Sequence, residues 1–501
     1  MRARLADFDR ALLVLALLLT VVGLVYFWTP TDPDVWWHLR NGQVVLATGT
    51  VPHGDLYSFT VPGARWIMQQ WLLEAAMWTL ETTLGYWANV LLFAAVSVGV
   101  YVLLFHLLRG EGAGRLLAAG LVGVALILDA PTWGVRPQIW TTLLFAAFLT
   151  ILLRYRRVGP DRGLWLLPPL MLLWANVHAG FSAGLLLLAA FVVGETLNRL
   201  LGWPAAPVRP LLAVTAACAV ISLLNPNGLD LWLYPLTYLS GPGGNASLRF
   251  VQEWLPPDLR SPRAWPFLAT LLSLLALNLV RRMAPGPGPT VSPGRTTWGD
   301  ATLMICCAGF TLMALQALRF LPLYALIWAV LAARRAVDLW PPKAQPLTAD
   351  PAQEARAVRF SRVNLVTYGL VAVVLAVIIL GSPRAQVHAT PLETAYPAGA
   401  VAYLAAQSGA QPLRPFHEYG WGGYLIAHGL PVFVDGRADP YNTLLDEYVA
   451  AGAGRDWQAI FAKYAVNTAL LPPAHPLIPL LTAAGWTRAY GDPVAVVYSK
   501  P

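Results

Sequence analysis

The chain has 501 residues, 57% of them hydrophobic and only 12% charged, with a formal net charge of +8. A soluble globular domain carries about twice that charged fraction, so composition excludes an ordinary soluble enzyme and points to a membrane protein. The positive charge is almost all arginine, and the positive-inside rule explains it better than nucleic-acid binding does.

The first long apolar run is 11–28. Arg2, Arg4 and Arg10 precede it or open it, and Tyr26, Phe27 and Trp28 close it where a cleaved leader would need small residues. That predicts an uncleaved first span with interfacial aromatics. Further apolar runs lie near 88–108, 116–130, 138–153, 164–177, 181–196, 210–224, 265–280, 300–317, 320–333 and 364–381. Together they predict an all-α polytopic membrane bundle of about eleven helices. The pairs 164–177/181–196 and 300–317/320–333 are joined by very short turns, as in tight hairpins or in broken helices lining a cavity.

If the N-terminus is cytoplasmic and every run crosses, the inner segments hold 20 Lys and Arg and the outer loops before the last run hold 7. The asymmetry supports that orientation. It puts two long loops, 29–87 and 225–264, and the tail outside. The expected division is a transmembrane domain, 1–381, and an extracytoplasmic α/β domain, 382–501. Segments 283–298 and 336–362, rich in Pro, Gly and Ala, read as linkers. No internal repeat is visible. Cys218, Cys306 and Cys307 all fall in apolar runs and read as small buried hydrophobes.

The first long loop opens with DPDVWWHLRNG (32–42). Asp32, Asp34 and His38 beside a span suit a divalent cation such as Mg or Mn, or a carboxylate base at the lipid–water boundary. Ordinary loop and cap residues are the equally weighted alternative. WIMQQWLLEAAMWTLE (66–81) is expected as an amphipathic helix, lying on the membrane surface or packed against the bundle. Arg136 in TWGVRPQ, Asn176 and His178 in LLWANVHAGF, Glu253 in VQEWLPPD and Arg319 in ALRFLP all map to the outer side. Polar groups at that depth are costly, and arginines there suit a phosphate or pyrophosphate headgroup. A single such arginine is more simply a snorkelling side chain.

In the tail, PVFVDGR (431–437), VNTALLP (466–472) and VAVVYS (494–499) read as strands, and DWQAIFAKY (456–464) as a helix capped by Asp456. Asp435, Arg437 and Asp439 form a possible site at a strand end, although a salt-bridged turn is the slightly favoured reading. FHEYGWGGYLIAHG (416–429) is Gly-rich but lacks a nucleotide-binding pattern. NAS at 245–247 matches a glycosylation sequon, a short pattern that recurs by chance.

Taken together, an N-in first span, a long outer loop opening with Asp32 and Asp34, an amphipathic segment after it, about eleven spans and an outer C-terminal domain resemble the GT-C type membrane glycosyltransferases. These include protein mannosyltransferases, aminoarabinose transferases and oligosaccharyltransferases. The resemblance is architectural over about 1–380; the acidic pair is its one local motif. The order DPDVWWHLRNG, WANVHAGF, NPNG, EWLPPD, LRFLP, GWGGYL and VDGRAD is also similar to bacterial proteins assigned to that type. The resemblance implies transfer of a sugar from a polyprenyl-phosphate carrier to an extracytoplasmic acceptor. Asp32 or Asp34 would be the base or hold a metal. Arg136 and Arg319 would stabilise the phosphate leaving group, and Glu253 would position a substrate. The tail departs from the characterised members. The alternatives are a non-catalytic envelope scaffold on the same fold, without converging charges, and a lipid or polysaccharide transporter with a polar path across the bilayer.

Overall fold

The computed structural model describes residues 32–237, 250–283, 300–340, 396–407 and 412–501. The expected first and last spans, the NAS sequon and most of the two linkers lie outside these residues. The other nine apolar runs all form helices. In chain order the helices are α1 (Val35–Thr48), α2 (Trp71–Leu84), α3 (Tyr86–Gly110), α4 (Arg115–Asp129), α5 (Gln138–Val158), α6 (Leu167–Val177), α7 (Phe181–Leu200), α8 (Val208–Ile221), α9 (Leu229–Thr237), α10 (Trp265–Met283), α11 (Ala301–Gln316) and α12 (Leu321–Leu339).

Among the described residues, six helical segments are long and apolar enough to cross a membrane: those built on α3, α4, α5, α7, α10 and α12. The apolar helices α8 and α11 are shorter, and α6 has 11 residues. A helix rises about 1.5 Å per residue, so α6 alone cannot cross a hydrocarbon core of about 30 Å. Two helices mark the extremes of the bundle. The apolar window of α12 is 78% buried and that of α10 only 17%, so α12 sits at the centre and α10 at the rim.

The two ends of the bundle are chemically different. At one end, Arg156 bonds Glu195 at 2.6 Å and Asp300 at 2.8 Å, and Arg334 bonds Asp300 at 2.9 Å and Glu111 at 2.6 Å. Arg157 also pairs with Glu111. Three arginines and three carboxylates thus balance and fasten α5, α7, α12 and the start of α11 together. Buried pairs of this kind fix geometry more than they add net stability.

At the other end, α1 and α2 pack tightly because Gly42 has no side chain. A Cβ there would overlap the Glu74 carbonyl oxygen and crowd Trp78 Cβ. α2 does not lie free on a surface. The helix begins at Trp71 rather than Trp66, and Leu73 and Met77 are buried in the bundle core.

The tail contributes α13 (Ala398–Gln407), α14 (Gly422–Ala427), α15 (Leu444–Gly452), α16 (Trp457–Lys463) and α17 (Leu477–Ala483). Its strands are β1 (Pro415–His417), β2 (Thr468–Leu471), β3 (Thr487–Gly491) and β4 (Val496–Ser499). The sheet order is β1-β2-β4-β3, with β1 and β2 parallel and the other neighbours antiparallel. Strands appear within 466–472 and 494–499 as expected.

The expected strand at 431–437 does not form. That segment makes one isolated parallel bridge, Val432 to Ser58, instead. Its partner lies in the long loop between α1 and α2, so pairing with another tail strand is forgone. The helix α16 is present, but Asp456 has φ 50° and its side chain does not cap it. One apolar cluster unites Trp37, Trp66 and Met68 of the outer loop region with Leu425, Val432 and Val497 of the tail. Loop and tail therefore share a core.

Candidate active site

Asp34 occupies the N-cap position of α1, yet its side chain makes no capping bond. Aspartate is favoured at that position because its oxygen can accept an orphan backbone N–H. Here Oδ1 accepts from Trp37 Nε1 at 3.1 Å instead. The Asp34 backbone N–H donates to Asp32 Oδ1 at 2.9 Å, which fixes the two carboxylates side by side. The Asp32 Oδ2 atom pairs with Arg136 Nε, from the turn between α4 and α5.

The chain of charges continues outward. Arg136 Nη1 donates to Glu253 Oε2 at 3.0 Å. Glu253 Oε1 stands 3.6 Å from Arg319 Nη1, and Arg319 lies over the Trp254 ring at 4.0 Å. Glu253 and Arg319 sit in two 3-10 turns, Gln252–Trp254 and Leu318–Phe320. The Leu318 N–H donates to the Leu255 carbonyl at 3.1 Å, and that bond holds the turns together. The short turn between α11 and α12 thus delivers a cation, as the turn between α6 and α7 delivers His178.

These residues border one cavity of about 760 Å³. Asp34, His38, Arg136, His178, Glu253, Arg319, Arg437 and Asp439 all line it. Asp32 stands behind, holding Arg136.

Three expected site residues are used for structure. Asn176 accepts from Trp71 Nε1 at 2.9 Å and donates to the Leu172 and Leu224 carbonyls, so it joins α2, α6 and the end of α8. Asp435 and Arg437 bond each other through two contacts of 2.8 and 2.6 Å. Arg437 also reaches Asp55 of the outer loop at 2.6 Å, with both side chains fully buried. It sits over Tyr57 and Trp66, each at 4.9 Å. This is a latch between tail and loop, the salt-bridged turn extended to a third partner. Asp439 accepts from Tyr234 of α9 at 2.5 Å.

The tail also roofs the acidic pair. A Cβ on Gly436 would overlap Asp34 Oδ1, and a Cβ on Gly423 would come 2.5 Å from the Pro33 carbonyl oxygen. Only glycine lets α14 and the 435–437 turn press onto this segment, which explains the Gly-rich GWGGYL and DGR sequences.

That environment changes proton affinities. Burial pushes the Asp34 carboxyl up to about 8; Asp32 and Glu253 add to the rise, and Arg136 and the Trp37 N–H oppose it. Burial alone would weaken the proton affinity of Arg136, but Asp32, Glu253 and Asp34 outweigh it and raise it. Burial pushes His178 down to about 3, with the charge of Arg319 adding. His178 Nδ1 accepts from the Gly180 N–H at 2.9 Å. The neutral ring therefore carries its proton on Nε2, as a donor.

His38 does not join the acidic pair. Its Nδ1 bonds Glu74 Oε1 at 2.8 Å, and the Asn41 amide donates to the same oxygen at 3.0 Å. Among the described residues, no group of three or more His, Cys, Asp or Glu side chains is placed to hold a metal ion. Sequence reasoning missed Glu74, Trp37, Trp66, Gln69, Gln70 and Gly436. The adjacent Gln69 and Gln70 inside an apolar stretch were the available signal.

No family model matches the sequence, and no curated protein does. Solved structures do match in fold. The oligosaccharyltransferase AglB of Archaeoglobus fulgidus, in complex with an inhibitory peptide and a dolichol-phosphate, matches 92% of this chain and 69% of its own, at 12% identity and a TM-score of 0.50. ArnT of Cupriavidus metallidurans in the apo state matches 99% of this chain and 98% of its own, at 13% identity and a TM-score of 0.51. The arabinofuranosyltransferase AftD from Mycobacteria matches 98% of this chain and 41% of its own, at 15% identity and a TM-score of 0.51.

Proposed function

Starting from a chain that has the fold of the GT-C membrane glycosyltransferases, we propose that it transfers a sugar from a polyprenyl-phosphate carrier to an acceptor hydroxyl at the outer membrane face. One observation carries the reading: Asp34, Arg136, Glu253 and Arg319 come from four separate segments and border a single cavity. A scaffold on this fold has no use for such a convergence of costly groups. The neighbour solved in complex with a dolichol-phosphate supports a lipid-phosphate partner.

In the proposed reaction the acceptor oxygen bonds to the anomeric carbon. The bond from that carbon to the phosphate oxygen breaks, and its electron pair leaves with the lipid phosphate. Asp34 takes the hydroxyl proton. A carboxylate whose proton affinity lies near ambient pH is well matched to that task. Arg319 and Arg136 face the charge that grows on the phosphate, and the His178 Nε2–H adds a neutral donor. Arg319, with its 3.6 Å ion pair, is the less committed of the two arginines. Glu253 holds both guanidinium groups at the right spacing.

The orientation, with about eleven spans, a cytoplasmic N-terminus and residues 382–501 outside, is part of the same proposal. It rests on the arginine asymmetry and puts the cavity on the outer face.

The test is donor turnover by the purified chain in lipid vesicles, with polyprenyl-phosphate sugars and an envelope extract as acceptor. Release of polyprenyl phosphate is expected from the wild type and is lost in Asp34→Asn and Arg319→Gln. If both variants release it at the wild-type rate, the assignment is wrong.

A further inference from the structure

The cavity has a second set of lining groups that the proposed transfer leaves unused. Trp37, His38, Trp66, Gln69 and Gln70 all border it, and none of them is a permanent cation. The Trp37 and Trp66 rings meet edge to face, with centroids 6.3 Å apart and planes at 80°. Trp37 also lies on the His38 ring, 3.6 Å between centroids.

Behind this wall is a built support. Glu74 is fully buried, and its Oε1 receives both His38 Nδ1 and the Asn41 amide. Tyr57 in turn donates to Asn41 Oδ1 at 2.8 Å. The network fixes the proton of His38 on Nδ1, so Nε2 carries a lone pair. Among the described residues nothing bonds that atom. Gln70 is 6% exposed, and one end of its amide stands 3.4 Å from His38 Nδ1. The other end has no partner, and that holds whichever way the amide is turned. Leaving a buried amide end unpaired costs about 1–3 kcal/mol.

We propose that Trp37, His38, Trp66, Gln69 and Gln70 form the sugar-holding wall of the cavity, and that it selects an uncharged, hydroxyl-bearing sugar over a uronic acid. Indole faces cover the C–H faces of a pyranose or furanose ring. The His38 lone pair accepts a sugar hydroxyl, and the amides pair with others. Glu74 and Asn41 are positioning residues that act through His38. Selection against an acidic sugar follows from charge. The Glu74 carboxyl stands behind His38, and the single positive charge of Arg437 beside Trp66 is outweighed by the two carboxylates it bonds, Asp435 and Asp55. The inference rests on the proposed transfer, because it divides that cavity into a phosphate end and a sugar end.

The test uses the full-length chain in detergent and short-chain probes: citronellyl phosphate, its glucosyl, mannosyl and arabinosyl esters, and its glucuronosyl ester. Calorimetric titration gives the affinity that each sugar adds to the bare phosphate. At least one neutral sugar should tighten binding about tenfold, the scale of one or two well-placed hydrogen bonds, and glucuronate should add nothing. Gln70→Leu should erase the increment without changing the affinity for bare phosphate. The paired variant His38→Gln/Glu74→Gln, which keeps both sites polar and uncharged, should do the same. An increment that survives both variants, a glucuronosyl ester bound as tightly as the neutral ones, or no increment for any neutral sugar overturns the wall. Bare-phosphate affinity is read separately. If Arg319→Gln leaves it unchanged, the lipid-phosphate reading itself fails, whatever the sugars do.

Discussion

Asp34 is the residue on which the proposed chemistry turns, and its environment makes a signed prediction. A carboxyl pushed up to about 8 is mostly neutral at pH 6, and its ionised fraction grows about tenfold per unit up to that value. If it is the base, turnover should climb with pH and level off near 8. Asp34→Asn should leave only a flat residue of activity, and a profile already level from pH 5 would remove Asp34 from the role. The same shift weighs on stability with the opposite sign. Between the unfolded value of 3.8 and about 8, the folded state binds more protons than the unfolded chain, so this group's contribution falls as pH rises. Gly436→Ala is the sharper probe. The added methyl group overlaps Asp34 Oδ1 while the rest of the tail's core is untouched. We expect a rate loss of about a hundredfold, the scale of an ångström-sized misplacement, with little change in thermal unfolding. Both are read from the same preparation.

At the scale of elements, the ion pair between loop and tail described above runs through Arg437. Arg437→Met would strand Asp55 and Asp435 in a dry interior, and stranding a buried charge costs about 3–5 kcal/mol. The expected result is a tail cut rapidly by protease while the helices stay protected. Equal protection of both would show that the latch adds nothing. Gly42→Leu tests the opposite wall. It forces α1 from α2, which costs about 1–3 kcal/mol and separates His38 from Glu74, so melting in detergent should come early.

These elements also show what the sequence made legible. Apolar runs located nine helices among the described residues, because burial in lipid or in a helix core needs no partner to be recognised. Arg136, Glu253 and Arg319 stood out because a charge at that depth is costly anywhere. Segment 431–437 misled because its short run of consecutive β-branched and aromatic residues suits a buried strand, whereas its actual partner, Ser58, lies far off in sequence. The Glu74–His38 pair was equally hidden, since a buried carboxylate inside an amphipathic pattern looks like a surface one until its neighbour is known.

For the whole molecule, the orientation is the main prediction. Cys218 and Cys306 are buried but Cys307 is half-buried, so labelling is read in a Cys307→Ser background, where engineered thiols dominate. Lys463→Cys in the tail should react with an impermeant maleimide on intact cells. Arg199→Cys, at the end of α7, should react only after the membrane is opened. The reverse pattern would invert the molecule and place the cavity in the cytoplasm.

The roof formed by Gly436 has one more consequence. The acid and the turn that covers it lie about four hundred residues apart in the chain, so the reaction chamber cannot close until the 435–437 turn has been made and has docked. A ribosome that stops early releases a helical bundle whose acid is wet and of ordinary strength. Nascent chains would thus be inert toward lipid-linked donors already waiting in the bilayer, and competence would arrive only when that turn folds.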